Sequence, residues 1–167
     1  MWAALCTVNG NMANKKVCSV RTMNDLTEGA NLNFNRRDRG SRGGGVAVCY
    51  DPTRIRLNSF PVIQNNDKKC ELVCAVGNCV LTKRKIAAIS VYLRPQLRGS
   101  ELDSAIQTVI DTVESIKSKY ADAIIYIGGD FNKKDMSRLM GTYADLTPLL
   151  AGNTRGCLLY TSDAADE

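Results

Sequence analysis

Ala123-Ile124-Ile125-Tyr126-Ile127-Gly128-Gly129-Asp130-Phe131-Asn132 is the stretch from which the rest of the chain can be read. Its first five residues are largely apolar and do not alternate, which predicts a strand buried on both faces. Two glycines follow, and they let the backbone turn sharply and a ligand approach closely. Asp130 and Asn132 then stand just past the carboxyl end of the strand, where open α/β sheets tend to carry their chemistry. A carboxylate there can bind a divalent metal or hold a water. An amide two residues on can donate to a phosphate oxygen or orient an attacking water. The same pair also suits a purely structural task, capping and turning the chain.

Leu102, Ala105, Ile106, Val109, Ile110, Val113 and Ile116 lead into this stretch at three- and four-residue spacings. They predict an amphipathic helix over 101–119, with Ser100 as N-cap and Glu101 and Asp103 favourable in the first turn. Strands are expected earlier, at Val46–Tyr50, at Ile55–Leu57 and at Ile86–Leu93, with a shorter one at Val17–Val20. Two more, 71–76 and 80–82, flank Gly77-Asn78, which reads as a hairpin turn. A short second helix is expected around Asp135–Met140. Strands in the majority with one long helix indicate an α/β (α+β) domain.

The 167 residues suffice for one domain with its own core. There are 22 basic and 17 acidic residues, a net charge of +5, which permits a nucleic-acid partner. No run approaches the roughly 18 apolar residues of a membrane span, so no membrane partner is expected. The opening Met-Trp-Ala-Ala-Leu-Cys lacks the basic flank of a signal peptide. The chain has no histidine, so a histidine-dependent triad or dyad has no candidate here. Of the seven cysteines, Cys70, Cys74 and Cys79 cluster, but with three and four intervening residues and no second pair. They read as buried reduced thiols rather than a zinc site. Gly43-Gly44-Gly45 precedes a strand, the reverse of a dinucleotide fingerprint, and no small-molecule cofactor is expected. Residues 24–42 are polar and turn-rich. Within them, Arg36-Arg37-Asp38-Arg39-Gly40-Ser41-Arg42 packs four arginines into seven positions. It reads either as a solvated loop or as a phosphate-contacting one, since arginine forks match phosphate oxygens.

Three segments together resemble the endonuclease/exonuclease/phosphatase family with the DNase I-like fold, and within it the endonuclease domain of non-LTR (LINE-type) retrotransposon polyproteins. Arg36-Arg37-Asp38-Arg39 followed by Arg42-Gly43-Gly44-Gly45-Val46-Ala47-Val48 is similar to an R-x-D-R…R-G-G-G-V-A-I segment. Ile89-Ser90-Val91-Tyr92-Leu93-Arg94-Pro95 resembles the strand that ends in a phosphate-contacting tyrosine. Gly129-Asp130-Phe131-Asn132 matches the G-D-F-N signature. Order and spacing agree, and Asn153-Thr154-Arg155-Gly156 resembles the approach to the next family segment. The resemblance implies a DNase I-like four-layer sandwich and hydrolysis of DNA phosphodiester bonds with Mg2+ (or Mn2+). It implies a nuclear place of action and a reverse-transcriptase domain in the parent polyprotein. It also implies roles: Tyr92 at the scissile phosphate, Asp130 positioning the water or the metal, Asn132 orienting phosphate and water, and Arg36, Arg37, Arg39 and Arg42 on the nucleic-acid backbone. Glu28, fifteen residues before Gly43, is the nearby candidate for the family's metal-binding glutamate. The family's closing aspartate–histidine pair has no counterpart, so this chain by itself is expected to be inactive. A phosphatase, deadenylase or abasic-site nuclease of the same fold, and a non-catalytic nucleic-acid-binding module, are the other readings.

Cys157-Leu158-Leu159-Tyr160-Thr161-Ser162-Asp163-Ala164-Ala165-Asp166-Glu167 reads differently from the rest. It resembles the translation of a transposase-type sequencing adapter, so the natural chain is expected to continue otherwise after Gly156. Without the tail's three carboxylates the balance is 22 basic against 14 acidic residues, or +8. The expected organisation is a poorly patterned segment over 1–23, an incomplete domain over 24–156, and the adapter-like tail over 157–167.

Overall fold

The computed structural model describes residues 31–38, 45–62, 70–132, 134–143, 146–149 and 157–162. Among the described residues, eight strands and two helices follow one another: β1 (Asn33–Asp38), β2 (Gly45–Tyr50), β3 (Ile55–Phe60), β4 (Cys70–Cys79), β5 (Lys85–Leu93), α1 (Gly99–Lys119), β6 (Ile124–Asp130), α2 (Ser137–Thr142), β7 (Leu146–Leu149) and β8 (Cys157–Ser162). β3, β4, β5, β6, β8 and β7 lie in that order in one six-stranded sheet, and β1 pairs with β2 in a separate ribbon. The mixed α/β class expected from the sequence is the one observed.

β5 and β6 are parallel, and α1 is the crossover that such a pair requires. The buried stripe of α1 is Ala105, Ile106, Val109, Ile110, Val113 and Ile116. It packs on one face of the large sheet against Leu72, Cys74, Ile89, Val91, Leu93, Ile125 and Ile127. Val109 and Ile116 are fully enclosed, and burial of each stabilises the fold by about 2 kcal/mol. Val46, Val48 and Tyr50 of the ribbon cover the opposite face, against Ile55, Leu57, Val73, Ala75, Ile86 and Ala88. The central sheet is therefore buried on both sides, which is why β4, β5 and β6 read as unbroken apolar runs.

Several boundaries differ from the sequence reading. Ser100 does not cap α1: the N-cap is Arg98, in extended conformation, and no side chain caps the helix. α2 begins at Ser137, after Asp135 Oδ1 accepts a hydrogen bond from the Ser137 amide at 2.8 Å. Gly77 and Asn78 do not turn the chain; they continue β4, and the turn lies at 80–84. It is closed by the Lys83 amide on the Cys79 carbonyl and the Cys79 amide on the Arg84 carbonyl, both at 3.0 Å. The Arg36-Arg37-Asp38 part of the expected arginine loop is a strand, β1. Here the pairing partner decides, because β2 offers a buried apolar edge to an alternating neighbour.

The tail also enters the sheet. The backbone of Cys157–Ser162 lies antiparallel to β6 on one side and to β7 on the other. An open β6 edge is a row of unmatched amides and carbonyls, and Leu158-Leu159-Tyr160-Thr161 is strand-prone. The pairing describes what this edge accepts, not where the segment came from.

The clustered cysteines do not converge. Cys70 and Cys74 face the α1 side, and Cys79 faces the ribbon side. Burial, followed by the neighbouring Glu71 charge, pushes the Cys70 thiol up to about 12, with Arg37 opposing. Burial alone does the same to Cys74.

Two predictions follow from this packing. A Cβ on Gly129 would lie 1.8 Å from the Val91 carbonyl oxygen, so Gly129→Ala forces β6 away from β5. Urea unfolding should show a loss of about 3 kcal/mol. Gly141→Ala, which meets nothing within 4 Å on α2, should change stability by no more than about 1 kcal/mol, in the stabilising direction. For the thiols, the unfolded chain loses protons near pH 9 while the folded one keeps them, so their contribution to stability falls as pH rises from about 9 toward 12. Iodoacetamide at about pH 9 should leave Cys70 and Cys74 unlabelled in the native chain and label both in concentrated urea.

Candidate active site

The register of the central strands assembles the site. Parallel pairing sets Tyr92 of β5 beside Asp130 of β6, and antiparallel pairing sets Glu71 of β4 beside Tyr92. Residues opposed in register share a face, and neighbouring strands lie about 4.8 Å apart. Glu71, Tyr92 and Asp130 therefore form one row across three strands, on the face toward β1 and β2. Two residues along each strand, the next row is Val73, Ser90 and Gly128. Gly128 leaves the space beside Asp130 without a side chain. β6 runs on through both glycines to Asp130, so the carboxylate closes the strand rather than following it.

Glu71 is the member of this row that the sequence reading did not single out. It is 3% exposed, and a carboxylate is rarely that buried unless its charge is paired. The available signal was an acid interrupting the apolar run Cys70-Glu71-Leu72-Val73.

Asp130 and Asn132 are coupled through the backbone. Asp130 Oδ1 accepts the Asn132 amide at 3.0 Å, an Asx turn. Asn132 has φ 49°, a left-handed conformation that asparagine tolerates better than most residues. Its side-chain Nδ2 donates to the Leu93 carbonyl at 2.6 Å, tying the end of β6 to the end of β5. The structural task that the sequence allowed is thus present. One amide proton is committed to Leu93; the second proton and Oδ1 can still serve a ligand.

The arginines divide. Arg37 is opposite Val46 and shares the face that looks toward the row; its charge reaches the Cys70 thiol, next to Glu71. Arg36 is opposite Ala47, on the other face of the ribbon. Both are half-buried on β1. Arg39, Arg42 and Glu28 lie outside the described residues.

Among the described residues there is no group of three or more His, Cys, Asp or Glu able to hold a metal. Asp130, at the open end of β6, is the described carboxylate placed to hold a magnesium-type ion. Such sites use one or two carboxylates, with the remaining positions left to water and substrate phosphate.

No family model matches the chain, and no curated protein matches it. Solved structures do. The catalytic domain of human Nocturnin with a bound sulfate anion is similar with a TM-score of 0.70 at 12% identity, covering 89% of this chain and 66% of that one. D. rerio TDP2 complexed with a single-strand DNA product gives 0.61 at 10% identity, over 92% and 71%. An endonuclease/exonuclease/phosphatase from Bacteroides vulgatus gives 0.62 at 15%, over 85% and 69%. These likenesses are of fold. The chain has the DNase I-like architecture of endonuclease/exonuclease/phosphatase proteins and spans about two thirds of the length of the structures it matches.

The double duty of Asn132 can be separated. Asn132→Gly keeps the left-handed backbone and removes the Leu93 bond, which should cost about 1 kcal/mol in urea unfolding. Asn132→Ala should cost about 2 kcal/mol, because it adds backbone strain. Equal losses for the two would contradict this account.

Proposed function

We propose that the chain is the greater part of a metal-dependent nuclease domain that hydrolyses DNA phosphodiester bonds. By its sequence resemblance, it would come from a non-LTR retrotransposon polyprotein. The observation that carries the proposal is the row Glu71, Tyr92 and Asp130, closed by Asn132 at the carboxyl ends of β5 and β6. In this reading the Tyr92 hydroxyl contacts the scissile phosphate and helps hold its developing charge. Buried Glu71 orients that hydroxyl from the neighbouring strand. Asp130 positions the attacking water, and Asn132 directs its uncommitted amide proton at a phosphate oxygen. A magnesium or manganese ion held by Asp130 would polarise the phosphate and acidify a bound water. Arg37, on the facing ribbon, supplies positive charge on the same side.

DNA is the proposed substrate because the chain is basic and because the similar TDP2 structure holds a single-strand DNA product. Action in the nucleus and linkage to a reverse transcriptase belong to the same proposal; they rest on the arginine-rich segment and the R-G-G-G-V-A motif. The 167 residues contain no histidine, so the proton transfer that the resemblance assigns to an aspartate–histidine pair has no such donor. Groups of that kind contribute factors of about 10²–10⁴. This chain is therefore proposed to bind DNA without cutting it.

Fluorescence anisotropy and plasmid nicking test the two parts separately. The chain should bind duplex DNA more tightly with Mg2+ than with EDTA, and Asp130→Asn should abolish that difference. Supercoiled plasmid should stay intact. An absence of metal-dependent binding would sink the nuclease reading; Mg2+-dependent nicking lost in Asp130→Ala would sink only the inactivity.

A further inference from the structure

Outside the row, Lys134 and Arg98 form a cluster of cations with no ion pair among the described residues. Lys134, two residues past Asn132, donates from Nζ to the Pro95 carbonyl at 2.6 Å and to the Leu97 carbonyl at 2.9 Å. Arg98 donates from Nη1 to the same two oxygens, both at 3.1 Å. Nitrogens held at 2.6 and 3.1 Å from one oxygen are at most about 5.7 Å apart. Two positive side chains are thus gathered on two carbonyl dipoles. Desolvation, then the Arg98 charge, holds the Lys134 ammonium below its usual range. The ion pairs nearby lie elsewhere: Arg138 takes Asp103.

The cluster stands at the functional end of the sheet. The Leu93 carbonyl receives Asn132, and the Pro95 and Leu97 carbonyls receive Lys134, so the loop after β5 is stitched to the loop after β6. Asn132 and Lys134 lie on one short segment, the first beside Asp130 and the second at the cation pair. Neither cation exhausts its donors: Lys134 keeps one ammonium proton, and Arg98 keeps Nε and Nη2. Two adjacent cations that, among the described residues, rest on carbonyl dipoles and keep spare donors are the arrangement an anion completes.

We infer that Lys134 and Arg98 form a second phosphate site, beside the Asp130–Asn132 turn, that takes a backbone phosphate flanking the scissile one. The naming of a nucleic-acid phosphate rests on the nuclease reading; the anion site itself rests on the cation pair. A flanking phosphate held there fixes the strand along the β5–β6 loops, so that the neighbouring phosphodiester reaches Tyr92 and Asp130. The site positions the substrate and takes no part in bond breaking.

The test uses the 167-residue chain, a short labelled duplex in EDTA, and anisotropy across a salt series. Arg98→Gln and Lys134→Gln should each weaken binding roughly 3- to 10-fold and flatten the salt dependence by about one unit of log–log slope. Lys134→Arg should keep the wild-type slope. Lys119→Gln, at the far end of α1, should change neither quantity. Arg98 is exposed and near-ultraviolet circular dichroism reports folding, so Arg98→Gln stays informative if Lys134→Gln loosens the loop. Wild-type binding with an unchanged slope in Arg98→Gln and Lys134→Gln would overturn the inference. If the wild-type chain binds no duplex with Mg2+ or with EDTA, the nuclease reading fails, and titration with inorganic phosphate decides the anion site alone. Amide NMR shifts confined to residues around Arg98 and Lys134 would uphold a site for free phosphate, and their absence would overturn it.

Discussion

The close approach of Gly129 to the Val91 carbonyl is the constraint on which the site depends. With no side chain at Gly129, β6 lies against β5 at a separation that any Cβ would prevent. That contact locks a parallel register in which Tyr92 stands beside Asp130. A slip of one residue would turn Asp130 toward the α1 face and into an apolar core. The helix reinforces the register from one side, because its stripe of Val109, Val113 and Ile116 packs on the row Ile89, Val91, Ile125 and Ile127. Thus packing on one face of the sheet holds in place the row of Glu71, Tyr92 and Asp130 on the other.

The polar residues sit where the sheet ends rather than within it. Along β5 and β6 the ribbon-facing positions change from Ala88 and Tyr126, through Ser90 and Gly128, to Tyr92 and Asp130. Polarity rises toward the open end in three steps. Beyond that end, two loops without repeating structure could splay apart. The Leu93 carbonyl at the end of β5 and the Pro95 and Leu97 carbonyls of the loop after it are instead bound by Asn132 and Lys134 of the other. The same asparagine that faces a ligand in the proposed reaction therefore fastens the loops that carry it.

Other parts were less legible, each for a definite reason. Glu71 lies 59 positions from Asp130 in the chain, and only the pairing of β4 with β5 brings it to the row. Gly77-Asn78 has the composition of a hairpin turn, yet β3 and β5 pair with it on both sides and hold it extended. Arg36 and Arg37 are adjacent in sequence, and a strand sends adjacent side chains to opposite faces, so the expected arginine patch is split. The strand-prone tail residues pair with β6 because an open edge accepts a neighbour by backbone bonding, with little regard for sequence.

The sequence by itself determined the local elements: the apolar β6 run, the 3.6-period stripe of α1, the class of the domain, and the Gly-Asp-Phe-Asn turn with its two polar groups. Each of these is written in the order of neighbouring residues, through periodicity and backbone freedom. Only the tertiary structure decided which residues meet: Glu71 beside Tyr92 beside Asp130, Arg37 toward the row and Arg36 away from it, Lys134 and Arg98 on the same two carbonyls. Those meetings depend on strand register and loop closure over long stretches of chain, and register is set by packing on both faces of a sheet at once. No window of consecutive residues contains that information.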